Sequence, residues 1–360
     1  MHLLLFALLA VVPGRDARRQ FIAEVRAGEH PLDNRRPQGG ILAVFGPAVA
    51  VWLLVILPFG LIACSNLPVY GYSLFGGAPF FLGFSTGILM CRNGPRSAGA
   101  VLGASTAAVM LGMLSFLATG LEGGLCILMV LPLVLPVTWT GALLGTHLVL
   151  KRYDLPRDVR RRLPLAIVFV PIGLAVESGV LPEPPLHRVD TEIEIRAAPA
   201  VVWREVVAFR ELPPPTERWF RAGIAYPIRA TIAGAGPGAV RRCTFSTGDF
   251  VEPIEVWDEP RLLRFGVTSC PPALHELNPF HEVVAPHVSG YFMAVRGQFA
   301  LAPTADGGTR LTGTTWYRHA LWPQSYWRLW SDAIVGSIHE RVLRHIRATC
   351  EAATSAGNGR

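Results

Sequence analysis

Two groups of residues in the second half of the chain have side chains suited to chemistry. Arg241 and Cys243 lie in AVRRCTF, and Phe250 and Glu252 lie in DFVEPIEVW, on either side of a Thr247-Gly248 turn signal. Folding these stretches about that turn opposes Phe245 with Phe250 and Cys243 with Glu252, and places Arg241 one diagonal away on the same face. That face is otherwise apolar, so a carboxylate on it needs a partner or a raised pKa. Three readings stay open. Glu252 and Arg241 form an internal ion pair, Glu252 orients a ligand or moves a proton, or the register differs and turns Glu252 outward.

The second group is His275, Glu276, His281, Glu282 and His287, within CPPALHELNPFHEVVAPHV. Imidazoles and carboxylates are metal ligands, but the spacing of six between the two His-Glu pairs matches neither HExxH nor CxxC. Six residues along a helix also do not share a face. No metal and no cofactor are expected. The stretch 270–288 is too long for a hairpin, and a polar flap at a cavity mouth is the expectation, with a metal site or a catalytic histidine as the alternatives. His345 falls five turns after Trp327, on the inward stripe of the last helix, and fits a hydrogen-bonded core histidine better than a catalytic one.

The elements that must position these residues are readable. From Pro323 to about Thr354 the sequence has one internal glycine, Gly336, with Trp327, Trp330, Ile334, Ile338 and Val342 on one helical stripe. A helix of this length needs a wide sheet to cover its apolar side. His187–Arg196 alternates as a half-buried strand, with Val189, Thr191, Ile193 and Ile195 on one face. A helix follows in PAVVWREVVAF, and a second short one near Glu217–Arg221. Turn signals then separate strands at about 227–233, 239–246, 249–257, 261–269, 289–302 and 308–319. Pairing the last two about Ala305 opposes Phe299 with Leu311, Val295 with Thr315 and Met293 with Tyr317. Tyr291 and Leu301 share that apolar face. Ile254, Val256, Leu263, Phe265 and Val267 extend it on the neighbouring strands.

The order strand, two helices, six strands, long helix resembles the helix-grip fold of the START-like superfamily, which includes Bet v 1-type proteins and the polyketide cyclase/dehydrase and lipid transport proteins. The matching pieces are VDTEIEIRAAPAVVWREVV, TFSTGDFVEPIEVWDEPRLLRF, GGTRLTGTTWY and the terminal helix, within about 187–353. The resemblance is architectural, without a signature catalytic motif. It implies a cavity for apolar molecules between sheet and helix. The expected lining is Arg241, Cys243, Phe250, Glu252, Phe265, Tyr291, Met293, Tyr317, Trp327, Trp330 and Ile334. Trp322, beside Pro323, fits core packing or a bilayer interface equally.

The first half is of another kind. The chain has 360 residues, 16% of them charged, and a mean hydropathy of +0.37. The net charge is +7, yet residues 182–360 hold 19 Arg against 18 Asp and Glu, so the excess lies before them. A near-neutral second half argues against nucleic acid as a partner. Residues 41–63, 72–91, 98–119, 123–150 and 163–181 are each long and apolar enough to be a membrane span. The loop 91–97 carries Arg92 and Arg96, and 151–162 carries Lys151 and five arginines, whereas 64–71 and 120–122 carry neither Lys nor Arg. By the positive-inside rule the N-terminus is cytoplasmic and the domain after 181 is extracytoplasmic, in a plasma (inner) membrane. Residues 2–13 are apolar but too short to span. Gly99-x3-Gly103 and Gly141-x3-Gly145 would let helices approach closely.

The sequence thus predicts an α-helical membrane bundle followed by an α+β helix-grip domain, a seven-stranded curved antiparallel sheet around a long C-terminal helix. The segments are 1–40, a cytoplasmic N-terminal stretch; 41–181, five transmembrane helices; and 182–360, the ligand-binding domain. Three functions are compatible: binding or transfer of a lipid or other hydrophobic small molecule, a cyclase-, dehydratase- or hydrolase-type enzyme using the same cavity, or a membrane interaction protein with no ligand. The expected partners are the lipid bilayer and an apolar small molecule.

Overall fold

A computed structural model describes residues 70–91, 95–151, 169–180, 182–280, 283 and 290–357. The chain divides into two compact units, one within Ser73–Ser115 and Val130–Val176, the other within Cys64–Tyr72, Phe116–Met129 and Glu177–Arg360.

The described helices of the first half are α1 (Ala78–Cys91, preceded by a π-turn over Ser73–Gly77), α2 (Ala98–Thr119), α3 (Gly124–Lys151) and α4 (Phe169–Val180). Three stretches, Ser73–Cys91, Ala98–Thr119 and Gly124–Leu150, are helices long and apolar enough to cross a membrane. They coincide with three of the five expected spans. The expected span 41–63 lies outside the described residues, and of 163–181 the described helix is the twelve-residue α4. Within the helical unit α1 and α3 touch backbone to backbone. A methyl at Gly83 would overlap the Thr138 carbonyl, and one at Gly141 would overlap that of Phe80. Of the two small-residue spacings in the sequence, Gly141-x3-Gly145 makes this close approach, whereas nothing lies within 4 Å of a Cβ placed at Gly99 or Gly103.

The second unit contains β1 (His187–Ile195), α5 (Pro199–Val207), α6 (Arg218–Arg221), β2 (Pro227–Ala233), β3 (Val240–Phe245), β4 (Gly248–Asp258), β5 (Leu262–Gly266), β6 (Phe292–Pro303), β7 (Thr309–His319) and α7 (Gln324–Gly357). The strands form one antiparallel seven-stranded sheet in the order β1-β7-β6-β5-β4-β3-β2. Strands β2 to β7 are a meander, and β1 closes its far edge against β7. The alternation read from His187–Arg196 is present as alternating burial along β1. The 34-residue α7 lies across β1, β7, β2 and α5 and covers the concave face. This is the helix-grip arrangement.

Two β-bulges alter which side chains face inward. One lies between Ala294 and Arg296 in β6, the other between Ile254 and Val256 in β4. Beyond the first, Phe292 and Ala294 point inward, while Met293 and Val295 are exposed. Beyond the second, Trp257 packs on the core, against Trp203 at 5.6 Å. The expected inward positions Met293, Val295 and Val256 are therefore corrected, each through one extra residue in its strand. The β6–β7 register also differs from the expected one by two residues, pairing Leu301 with Leu311 and Phe299 with Gly313. An even shift keeps Phe299, Leu301 and Leu311 on the inner face.

Polar fastenings set the height of α7 on the sheet. The Tyr317 hydroxyl donates to Asp332 at 2.6 Å. His339 bridges the hydroxyls of Thr191 on β1 (3.1 Å) and Thr315 on β7 (2.7 Å). The Arg341 guanidinium donates to the carbonyls of Pro213 and Pro227 and lies 3.7 Å from the Glu217 carboxylate. His319, at the end of β7, stacks on His187 at 5.2 Å, and His187 bonds Gln324 at 3.0 Å.

Burial pushes His339 down to about 4, against the opposing pull of Asp190, and burial with the neighbouring His187 does the same to His319. Both are neutral in the folded domain, whereas in the unfolded chain they protonate near pH 6.5. Their contribution is full above pH 6.5 and falls as the pH drops towards 4, by about 3 kcal/mol per histidine at most. Thermal unfolding of the full chain in detergent, followed by tryptophan fluorescence, is expected to show this loss between pH 6.5 and 4. His339→Gln should remove about half of the slope while lowering stability at pH 7. An unchanged slope would show that His339 is not the group responsible.

Candidate functional site

Between the concave sheet and α7 lies a hollow of about 110 Å³. A purely apolar engineered cavity of about 150 Å³ holds benzene, which sets the scale of a single ring. The sheet contributes Arg241, Cys243 and Phe245 from β3, Phe250 and Glu252 from β4, Phe265 from β5, Phe292, Ala294 and Phe299 from β6, and Gly313 and Thr315 from β7. Helix α7 contributes Val335, Ile338, His339, Val342 and Leu343, and Phe209 closes the hollow from the segment after α5.

The charged pair in this wall follows from the β3–β4 hairpin. Gly248 has a φ of +141°, a region open to glycine, and it pairs with Phe245 across the two loop residues Ser246 and Thr247. Cys243 therefore pairs with Phe250 and Arg241 stands directly opposite Glu252. The expected pairing of Cys243 with Glu252 is two residues away from this. Both chains stay on the inner face, and the diagonal relation becomes a direct one. Arg241 Nη1 donates to Glu252 Oε2, with both side chains almost fully buried. Arg241 Nε donates to the Val207 carbonyl at 3.2 Å, at the C-terminal end of α5, where the helix dipole favours a cation. The guanidinium carbon is 5.5, 5.3 and 5.8 Å from the ring centres of Phe209, Phe265 and Phe299. Cation–π attraction and one carboxylate thus replace the water that the guanidinium has lost.

Burial raises the Glu252 carboxyl above the usual range and the guanidinium pulls it back. Burial pushes the Cys243 thiol up to about 12, which makes it a packing group and not a nucleophile. His339 presents a neutral imidazole in the same wall, its two nitrogens engaged by Thr191 and Thr315.

Of the residues expected from sequence to line the cavity, Arg241, Cys243, Phe250, Glu252 and Phe265 are in its wall. Six lie elsewhere. Met293 faces outward past the bulge. Tyr317 is fully buried beside Phe292, at 5.0 Å, with its hydroxyl on Asp332. Tyr291 packs edge-on to Tyr70 at 5.1 Å. Trp327, Trp330 and Ile334 precede the part of α7 that faces the hollow. Ile338 and Val342, on the same stripe as Trp327, do line the hollow, so the three earlier residues miss it by their position along the helix and not by the side they occupy. His345, also expected inward, is half-buried with its ring 6.3 Å from that of Phe209, and lies outside the wall. Thr315, expected on the inner face but not among the lining residues, is in the wall, and His339 was missed; a polar residue next to Ile338 on the inward stripe is the signal that would have found it.

The flap residues separate differently. His281, Glu282 and His287 lie outside the described residues. The described stretch 270–280 contributes nothing to the cavity wall. Leu274 bridges Ile224, and the His275 amide donates to the Gly223 carbonyl at 2.8 Å. Glu276 accepts from the amides of Leu125 (3.3 Å) and Cys126 (3.2 Å) at the start of α3, and the Gly124 amide donates to the Leu277 carbonyl at 2.8 Å. The Asn278 amide donates to the carbonyls of Leu117 (2.7 Å) and Glu122 (3.3 Å). The described part of this stretch fastens the sheet to the α2–α3 turn.

No family model and no curated protein matches the chain. Solved structures similar to it include the Zhui aromatase/cyclase of Streptomyces sp. R1128, at 14% identity and a TM-score of 0.33, over 46% of this chain and 94% of that one. A norcoclaurine synthase point mutant of Thalictrum flavum in complex with a transition-state analogue aligns at 10% identity and 0.30, over 48% and 99%. A Nitrosospira multiformis protein aligns at 16% identity and 0.30, over 47% and 99%. By strand order and by the long helix across the concave face, the second unit has the helix-grip fold of Bet v 1-like proteins.

Proposed function

We propose that the protein is a membrane-anchored receptor for a small apolar molecule, held between sheet and α7 with Glu252 as its polar contact. The observation that carries this is a hollow walled by phenylalanine, valine and leucine side chains that also contains a buried carboxylate. Arg241 takes Oε2 of Glu252, and Oε1 is the acceptor offered to an occupant. The volume favours a single ring or a short branched chain over the extended acyl chain of a lipid. Burying about 150 Å² of a ring stabilises the complex by roughly 4 kcal/mol before the costs of association. A hydroxyl donated to Glu252 adds about 1.5 kcal/mol or more, a factor of about ten. The three apolar helices are the anchor. The basic loops at 91–97 and 151–162 and those without Lys or Arg at 64–71 and 120–122 support an inner-membrane placement with the helix-grip domain on the outer face.

A structural pair and a ligand-orienting carboxylate make different demands on Glu252, and two measurements separate them. Removing one partner of a buried ion pair leaves a charge without compensation and costs about 3–5 kcal/mol, whereas replacing both by apolar groups of similar volume is often neutral. Glu252→Leu and Arg241→Met are each expected to lower stability by that amount in chemical unfolding of the full chain, and the double variant to lie within about 2 kcal/mol of the parent. Equal additive losses would show that the pair does not act as a unit.

Ligand-observed fluorine NMR of the full chain in detergent tests the cavity itself. Fluorophenol should bind saturably and about tenfold more tightly than fluorobenzene. A Cβ at Gly313 would sit at ordinary contact distance from Phe299 and Leu343, so Gly313→Val should fill the hollow and remove binding of both probes. Saturable binding that survives Gly313→Val would place the probe elsewhere and sink the assignment.

A further inference from the structure

The start of α3 gives a depth scale for the helix-grip unit itself. Gly124 opens a 27-residue stretch long and apolar enough to span a bilayer, about 40 Å of helix against a hydrocarbon core of about 30 Å, so it lies in the interfacial region at the edge of that core. Its amide is bonded to the Leu277 carbonyl, which puts the 276–280 loop at that level. The Tyr326 hydroxyl, in the first turn of α7, donates to the Met129 carbonyl. Met129 is five residues along the span, about 7 Å further in at the rise of an α-helix. The Tyr326 hydroxyl is therefore as deep as the second turn of a membrane span, and the first turn of α7 lies within a side chain's reach of it. All these residues belong to the second compact unit.

The side chains displayed there are apolar and exposed. Leu329, one turn after Tyr326 on the same side of α7, is 70% exposed. Leu277, Phe280 and Leu128 are each more than half exposed. The Trp322 amide bonds the Tyr70 carbonyl, and its indole lies 5.7 Å from the ring of Tyr72, itself half exposed. Indole and phenol rings at this level are what the boundary between acyl chains and headgroups favours. Exposed leucine and phenylalanine beside them would be costly in water and are at rest in lipid.

We infer that this end of the helix-grip unit is a lipid-contacting surface: the first turns of α7 and the 277–280 loop sit in the bilayer interface, with phospholipid as the occupant. The inference rests on the reading of α3 as a span. The part of α7 that lines the hollow begins at Val335, six residues and about 9 Å beyond Leu329. An apolar molecule dissolved in the membrane then lies within about two helical turns of the cavity.

The test uses the full chain in vesicles of phosphatidylethanolamine and phosphatidylglycerol, with a photoreactive benzophenone side chain introduced singly at Leu329, Phe280, Leu128 or Arg242. Adducts are read by mass spectrometry. Phospholipid adducts are expected at Leu329, Phe280 and Leu128, and none at Arg242 on the outer face of β3. Adducts at Leu128 with none at Leu329 and Phe280 would leave the anchor in place and overturn the inserted surface. Absence of adducts at Leu128 as well would overturn the membrane reading together with it. A cross-link from Leu329 to another protein would replace lipid with a protein partner and equally overturn the inference.

Discussion

A guanidinium cannot stay charged inside an apolar sheet face unless its surroundings replace nearly all of its hydration. The inner face of the helix-grip unit is arranged around that requirement at Arg241. The carboxylate of Glu252 has to be directly opposite, which fixes the register of β3 on β4 to the residue. The Val207 carbonyl has to reach Nε, which fixes where α5 ends. Three phenyl rings have to stand around the cation, and they come from β5, β6 and the segment after α5. A slip of one residue in any of these would turn a charge towards the core or a ring away from it. The pair thus acts as a specificity device, and its net contribution to stability is a separate and smaller matter.

The hollow survives because α7 is kept from settling into it. Apolar contact alone would draw helix and sheet together until the space was filled, as interiors are normally close-packed. Here the helix is hydrogen-bonded at three heights, through Asp332, His339 and Arg341. Each bond has a fixed length and direction, so the helix stops at the distance they set. His339 also belongs to the wall, so one imidazole both spaces the helix and faces the hollow. That arrangement explains how a neutral histidine is tolerated among valines and phenylalanines: its two nitrogens are already engaged by threonine hydroxyls.

The sequence disclosed those features that depend on short-range pattern. Strand β2 matches the reading to the residue, β1 to within one, and the long helix to within a few residues of each end, because alternation, turn residues and helical spacing are all local. The parity of the β3–β4 and β6–β7 hairpins was also legible, and it brought Arg241 and Glu252 to one face although both registers were two residues off. What failed has a common cause. In Phe292-Met293-Ala294-Val295 and in Val256-Trp257 both faces read as apolar, so nothing local marks the bulge that exchanges them. The inward stripe of α7 is right in direction, since Ile338 and Val342 line the hollow, but helical spacing does not say where along the helix the hollow begins, and Trp327 and Trp330 lie before it. Glu276 reads as a metal ligand or flap residue until its partners are known, and they are backbone amides about 150 residues earlier in the chain.

That last contact shows how a loop of unremarkable composition can decide what a fold is used for. The 276–280 loop holds the start of α3 through the Glu276 carboxylate and the Leu277 carbonyl and the end of α2 and its turn through the Asn278 amide, and the Tyr326 hydroxyl reaches the Met129 carbonyl one turn further along α3. Six hydrogen bonds from two separate segments thus tie 117–129 into the second compact unit. The long helix displays aromatic and leucine side chains at its beginning and lines a ring-sized hollow a few turns later. An apolar solute partitions strongly into lipid, so if the proposed receptor's hollow opens near the headgroup level it would meet such a solute at far higher concentration than in water. Weak intrinsic affinity, of the order that a 110 Å³ hollow can supply, is then sufficient for occupancy.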